Sequence, residues 1–275
     1  MQNIFKVAFL IFFFLNLTSG TCLALDQLNN FADAHDPLEK DTFSFREPTA
    51  DDFSEKLSLW ATYYYLPEQN DGAGDYLLRD MKSLELGPRM TLKQWCTAAL
   101  EGSVRIILKT GEAKTFNYAG VSSEHTVDCS SIFRFDVRKT KFREANGVFG
   151  DGIGDYILAP YRTLATDNSK IIPGTVLYIP KARGAKIILN NGREIIHDGY
   201  FFAGDKGGAI KENHVDVFIG THQSAPFFSW IKSNQDKTFE AYVINDTKII
   251  SDLHSLHLNI PLTVHFSSEP GHTSH

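Results

Sequence analysis

"FFAGDKGGAIKENHVDVFIG", residues 201–220, places two acids where local structure alone has no need of them. Asp205 stands just ahead of the Gly207-Gly208 pair, and Asp216 interrupts the apolar alternation of Val215, Val217 and Ile219. A strand period of two puts those three on one face and Asp216, Phe218 and Gly220 on the other. If that second face lines an aromatic cleft, desolvation favours the neutral carboxyl and lets it donate a proton near neutral pH. The same placement also suits an inward charge guarding a sheet edge, or a solvated strand face. On this strand alone both readings stand.

The surroundings are β-rich. From Tyr161 onward short apolar segments alternate with Pro and Gly: "YRTLATD", "GTVLYIP", "AKIIL", "GREIIHDGYFFAGD", "HVDVFIG" and "FEAYVIND". Such spacing predicts a small barrel or sandwich rather than βαβ units. Upstream, "LSLWATYYYLP" (Leu57 to Pro67) carries the aromatics and Thr of a strand and ends at proline. Between them, "TLKQWCTAALEGSV" offers a capping box, Thr91 with Gln94, and a short helix closed by Gly102.

The first 24 residues, one early Lys6, an apolar run from Val7 to Leu17 and a Cys22-Leu23-Ala24 end, read as a secretory signal peptide. Ser19-Gly20-Thr21 makes a poor lipobox for an anchor on Cys22. No later run is long enough to span a bilayer. The mature chain is therefore expected to be exported: periplasmic, outer-membrane-associated or secreted. Residues 25–55, polar and aperiodic, are expected as a flexible leader. A net charge of −6, with no basic block, gives nucleic-acid binding no electrostatic support.

Cleavage would leave Cys96 and Cys129, most simply a disulfide in an oxidising compartment, stabilising the fold by roughly 3 to 4 kcal/mol. The competing reading makes Cys96, at a helix start, a nucleophile with His125 as base. "GDGIGD" (Gly150 to Asp155) lacks both the P-loop lysine and the EF-hand ladder and reads as a glycine turn. His254, His257, His265, His272 and His275 follow no metal-ligand spacing, so the region after Ser251 is expected to be peripheral. No GxSxG elbow occurs. No cofactor and no metal is called for.

Taken together, three segments closely resemble the three-aspartate (3D) domain of the membrane-bound lytic transglycosylase A family. Ala165-Thr166-Asp167 leads into Ile172-Pro173-Gly174-Thr175. Ala203-Gly204-Asp205 leads into Gly207-Gly208-Ala209-Ile210-Lys211, and His214-Val215-Asp216 follows. "ATYYYLP" is similar to the family's Thr-Gly-Tyr-Tyr-x-Pro strand, with Thr62 at the threonine. The strong part covers Tyr161 to Ile244. Lys206 stands where Thr is common, Glu212 replaces a usual Gly, and the Ile-Pro-x-Gly-Thr element is one residue short.

The resemblance implies a mainly β chain: a six-stranded double-psi β-barrel, with its first strand at 56–67 and the rest at 156–250. Residues 68–155 match the family poorly, so its second domain is not carried over; read from the residues, they are an inserted α+β segment with the disulfide, and 251–275 is a tail. The resemblance further implies cleavage of the MurNAc–GlcNAc bond of peptidoglycan glycan strands, giving a 1,6-anhydro sugar; apart from the resemblance, a monomer is expected, with the oligomeric state left open by the sequence. In that scheme Asp216 acts as acid and then base. Asp205 stays ionised or hydrogen-bonded and keeps Asp216 protonated by repulsion, and Asp167 supports the loops. Thr62 and Lys211 would touch substrate, Gly207 and Gly208 would let backbone amides approach it, and Tyr63 and Tyr65 would stack on it. Tyr64 is as readily a core filler. A non-catalytic glycan-binding barrel remains the alternative.

Overall fold

The computed structural model describes residues 36–258 apart from 73, 190 and 222–228. The expected signal peptide, the first part of the leader, and His265, His272 and His275 lie outside the described residues.

Six strands close a barrel: β1 (Phe53–Tyr64), β8 (Thr163–Ala165), β9 (Val176–Tyr178), β12 (Tyr200–Asp205), β13 (His214–Phe218) and β14 (Phe239–Ile244). Around the barrel the order is β1-β13-β8-β12-β9-β14. The β1–β13 and β8–β12 pairs are parallel, and the other four are antiparallel. The mainly β, six-stranded closed barrel is thus the expected one. Leu59, Ala61, Leu164, Leu177, Phe201, Val215 and Val217 fill it. The hairpin of β10 (Lys186–Ile188) and β11 (Glu194–Ile196) lies outside the ring.

The chain between β1 and β8 forms a second core. Strands β2 (Glu68–Asn70), β5 (Ser103–Ile107), β6 (Ala113–Val121) and β7 (Thr140–Glu144) make one sheet in the order β2-β5-β6-β7. Strands β3 (Tyr76–Arg79) and β4 (Glu85–Met90) pair beside it. The helix Leu92–Glu101 starts on the Thr91/Gln94 capping box and stops at Gly102, which adopts φ 76°. It buries Trp95, Cys96, Ala98 and Ala99 against Val104, Ile106, Phe116 and Phe142. Cys96 and Cys129 are joined in a disulfide, their Cα atoms 5.7 Å apart. Bonded to sulfur, Cys96 has no thiolate to offer, which removes the nucleophile reading.

Two expectations need correction. Residues 36–55, assigned to a flexible leader, are packed: Leu38 and Phe43 are buried, and β1 already begins at Phe53. The anchor is Arg162, fully buried, which donates from Nε to Asp41 (2.6 Å) and from Nη1 to Asp198 (2.5 Å) and the Tyr200 carbonyl (2.7 Å). The Phe43 ring lies 4.1 Å from the guanidinium carbon. A low-complexity-looking segment becomes ordered because it supplies half of the countercharge that a buried arginine requires.

The start of the tail is also structural. Asp246 caps the helix Thr247–His257 by accepting from the Lys248 and Ile249 amides, and Ile249, Leu253 and His257 are buried. His257 Nδ1 donates to the Leu253 carbonyl (2.7 Å), and its Nε2 lies 3.1 Å from Thr163 Oγ1. Burial pushes this imidazole down to about 4, so it is neutral and acts as a strut.

Candidate functional site

One row of the barrel ladder assembles the site. On β1, Thr62 pairs in register with Asp216 of β13. Asp216 pairs across with Ala165 of β8, and Ala165 pairs on its other side with Asp205 of β12. The two acids, on different strands, therefore flank one small residue. A register shift between Ala203 and Asp205 in β12 re-aims Asp205 at this point. Opposite it, the glycine turn after β7 approaches the strand so closely that a Cβ on Gly152 would sit 2.1 Å from the Gly204 carbonyl oxygen.

Both carboxyls are half-buried and both are lifted. Desolvation raises Asp216 to about 6; a hydrogen bond from Thr62 Oγ1 to Asp216 Oδ1 (2.8 Å) opposes this, while Asp205 and Glu101 add to it. Burial also raises Asp205 to about 6, against the Lys206 amide bonded to its Oδ1 (2.8 Å) and the Tyr64 hydroxyl bonded to its Oδ2 (2.8 Å). Asp205, expected to be ionised or hydrogen-bonded, is hydrogen-bonded, and its carboxyl is also lifted. Desolvation is the leading cause for both acids, and the charge of Asp205 adds to it at Asp216.

Tyr64, read from sequence as possible core filler, is a site residue through that bond to Asp205. Its own hydroxyl is pushed well above the phenol range by burial and then by Asp205, so it stays a donor. Tyr63 and Tyr65 are half-buried and pack against the barrel core. Two further groups carry no signal in a catalytic motif. His214 Nε2 lies 2.8 Å from Thr62 Oγ1. Glu101, at the end of the insert's helix, bears on Asp216 electrostatically. The first was within reach of sequence reasoning, since period two puts it on the face of Asp216; the second lies over a hundred residues away and was not.

Asp167 belongs to a neighbouring corner. It accepts from the Glu212 amide (2.9 Å) and from the Ser169 amide (3.0 Å) and hydroxyl (2.8 Å). These bonds, the Glu212 amide first, hold it down to about 2. It is an anion that ties two loops together. Glu212 sits at φ 56°, a left-handed position that explains why glycine is usual there, and its side chain pairs with Lys170 at 2.9 Å. Asp167, Lys206, Gly207, Gly208 and Lys211 line a hollow of about 300 Å³. The predicted residues therefore fall into two adjoining groups, joined where Asp205 meets Lys206. Among the described residues no cluster of three or more His, Cys, Asp or Glu is arranged to hold a metal ion. No described helix is long and apolar enough to cross a membrane.

Residues 162–234 match the 3D domain. Among solved structures the chain is similar to E. coli MltA with bound chitohexaose, at 19% identity over 68% of this chain and 71% of that one, TM-score 0.47. A membrane-bound lytic murein transglycosylase from Agrobacterium tumefaciens aligns at 13% identity over 72% and 78%, TM-score 0.46. The lytic transglycosylase LtgG of Burkholderia pseudomallei aligns at 18% identity over 68% and 71%, TM-score 0.37. No curated protein matches the chain.

Proposed function

From the premise that residues 162–234 are a 3D domain, we propose that this protein is an exported peptidoglycan lytic transglycosylase. The observation that carries the reading is Asp216: half-buried, lifted to about 6, braced by Thr62 and faced by Asp205. An acid poised there is protonated for part of the time at neutral pH and equally able to take a proton back.

A single such group suffices for non-hydrolytic cleavage. Asp216 gives its proton to the oxygen linking MurNAc to GlcNAc, and the bond from that oxygen to the anomeric carbon breaks. The C6 hydroxyl of the same MurNAc then bonds to the anomeric carbon, and its proton passes to the Asp216 carboxylate. No water is consumed, and the acid ends as it began. An ordinary glycosidase divides these tasks between two carboxylates. Asp205 would keep the proton on Asp216 between turnovers by like-charge repulsion. Thr62, Tyr63, Tyr65, Gly207, Gly208 and Lys211 would border the glycan, and Asp167 would fix the loops that carry the last three.

Mass spectrometry of sacculi treated with purified protein tests this. Anhydro-muropeptides are expected from the wild type. Asp216→Asn should lower their formation by about 10²–10⁴-fold with circular dichroism unchanged. Reducing-end sugars alone would mean a hydrolase. Binding to sacculi without any product would mean a glycan-binding barrel.

A further inference from the structure

His214 lies two residues before Asp216 on β13, on the same face, and pairs in register with Trp60 of β1. Its ring stacks on the Trp60 indole with centroids 3.6 Å apart and planes 4° from parallel. The imidazole is buried, and Nε2 sits 2.8 Å from Thr62 Oγ1. The Thr62 hydroxyl in turn donates to Asp216 Oδ1 at 2.8 Å. A hydroxyl has one proton to give. With Asp216 as the carboxylate, Thr62 gives its proton to Oδ1, and the bond from His214 then arrives as a donation from Nε2–H.

We infer that His214 is a positioning residue, acting through Thr62 to reserve one oxygen of Asp216 for the reacting proton. With Oδ1 occupied as an acceptor, Oδ2 is the oxygen that carries the proton to the leaving group and receives it back. The inference rests on the transglycosylase reading for its purpose, though not for its geometry. Burial lowers the His214 imidazole from the ordinary histidine value, which favours the neutral ring and leaves Nε2–H as the donor to Thr62. The stacked Trp60 restricts rotation of the ring about its Cβ–Cγ bond.

The other charges around this chain can be named. Asp216 faces Asp205 across β8 and Glu101 from the insert. Asp205 is held by Tyr64 and adjoins Lys206. His214 donates its own amide to the Lys211 carbonyl, and the Trp60 amide donates to the adjoining Asn213 carbonyl.

Three measurements on the intact protein test the inference. The ¹⁵N shifts of His214 in the wild type at pH 8, where the imidazole is neutral, should report the Nε2–H tautomer. The ¹³C titration of the Asp216 carboxyl, assigned with Asp205→Asn as a reference, should shift upward by about half a unit to one unit in His214→Leu, the worth of one modest hydrogen bond. Turnover of His214→Leu should fall roughly tenfold with KM unmoved, since an orientation made in the transition state is lost. His214→Gln, whose amide can donate to Thr62 without titrating, should recover both properties. An Nδ1–H tautomer in the wild type, or an Asp216 midpoint that ignores His214→Leu, would overturn the inference. If His214→Leu fails to fold, the wild-type tautomer and the His214→Gln titration still decide it. A wild type that forms no anhydro product would sink the enzymatic reading, while tautomer and titration would continue to judge His214 alone.

Discussion

The barrel and the inserted sheet each close a hydrophobic core, and each is secured by a different device. The insert clusters Leu78, Met90, Trp95, Val104 and Phe142 around the Cys96–Cys129 bond. The barrel instead buries a charge group, Arg162 between Asp41 and Asp198, and holds two further acids at its rim. Asp41 and Asp198 share a guanidinium. Asp205 and Asp216 are held by hydroxyls and a backbone amide and are lifted. A carboxylate given a buried cation becomes a structural part, whereas one given weaker donors in a dry setting keeps its proton available. The comparison thus separates acids that hold the fold from acids that can do chemistry.

The sharpest way to break that contrast is Arg162→Met. It leaves Asp41 and Asp198 buried without their cation, which costs about 3–5 kcal/mol. Indole resonances in a urea titration read the two regions separately: Trp60 and Trp230 report the barrel and Trp95 the insert. The barrel signals should be lost first. The converse variant, Cys96→Ala with Cys129→Ala, should destabilise by about 3–4 kcal/mol and lose Trp95 first. If both variants melted both cores together, the two regions would be one cooperative unit.

A smaller effect separates the two kinds of acid. Asp205 and Asp216 stand near 6, above the ordinary aspartate value of 3.8, so the fold holds these protons more tightly than the unfolded chain does. Their contribution is complete below about pH 4 and is lost as pH rises through 6. Asp216→Asn should therefore match the wild type in stability at pH 4 and exceed it by about 1 to 2 kcal/mol at pH 8, after allowance for the exposed rim. Equal stability at both pH values would mean that Asp216 is not desolvated. The smallest effect tests whether the insert reaches the site at all. Glu101→Gln removes a charge that raises Asp216, so the pH–activity profile should move down by less than about half a unit. An unmoved profile would leave the site to the barrel alone.

How much of this was legible in the sequence follows the same division. The strands from Thr163 to Ile244 were readable because turn chemistry punctuates them and the Asp-x-Gly-Gly-Ala-Ile-Lys run is distinctive. The Leu92–Glu101 helix was readable from its caps at Thr91 and Gly102, which act locally. Asp41 was not readable. It sits in a polar stretch, and its partner Arg162 lies 121 residues away, so no periodicity could show the pair. Tyr64 was ambiguous for a related reason: an aromatic on a strand fills a core as easily as it donates a hydroxyl, and only the position of Asp205 decides. The loop glycine replaced by Glu212 shows a further kind of gap. The departure was visible, but its left-handed backbone and its link to Asp167 were not.

The ring order has a consequence for how the molecule comes into being. β1 is made early, yet both its neighbours, β13 and β14, are made late: Ser58 and Thr238, 180 residues apart, share a hydrogen bond of 2.8 Å. The first strand must therefore wait, unpaired on both edges, until almost the whole described chain has been synthesised. The insert, whose contacts span far shorter loops, can settle around its own core in the meantime. A chain so ordered completes the row of Thr62, Asp216, Ala165 and Asp205 only when the strand bearing Thr62 is captured between its two partners.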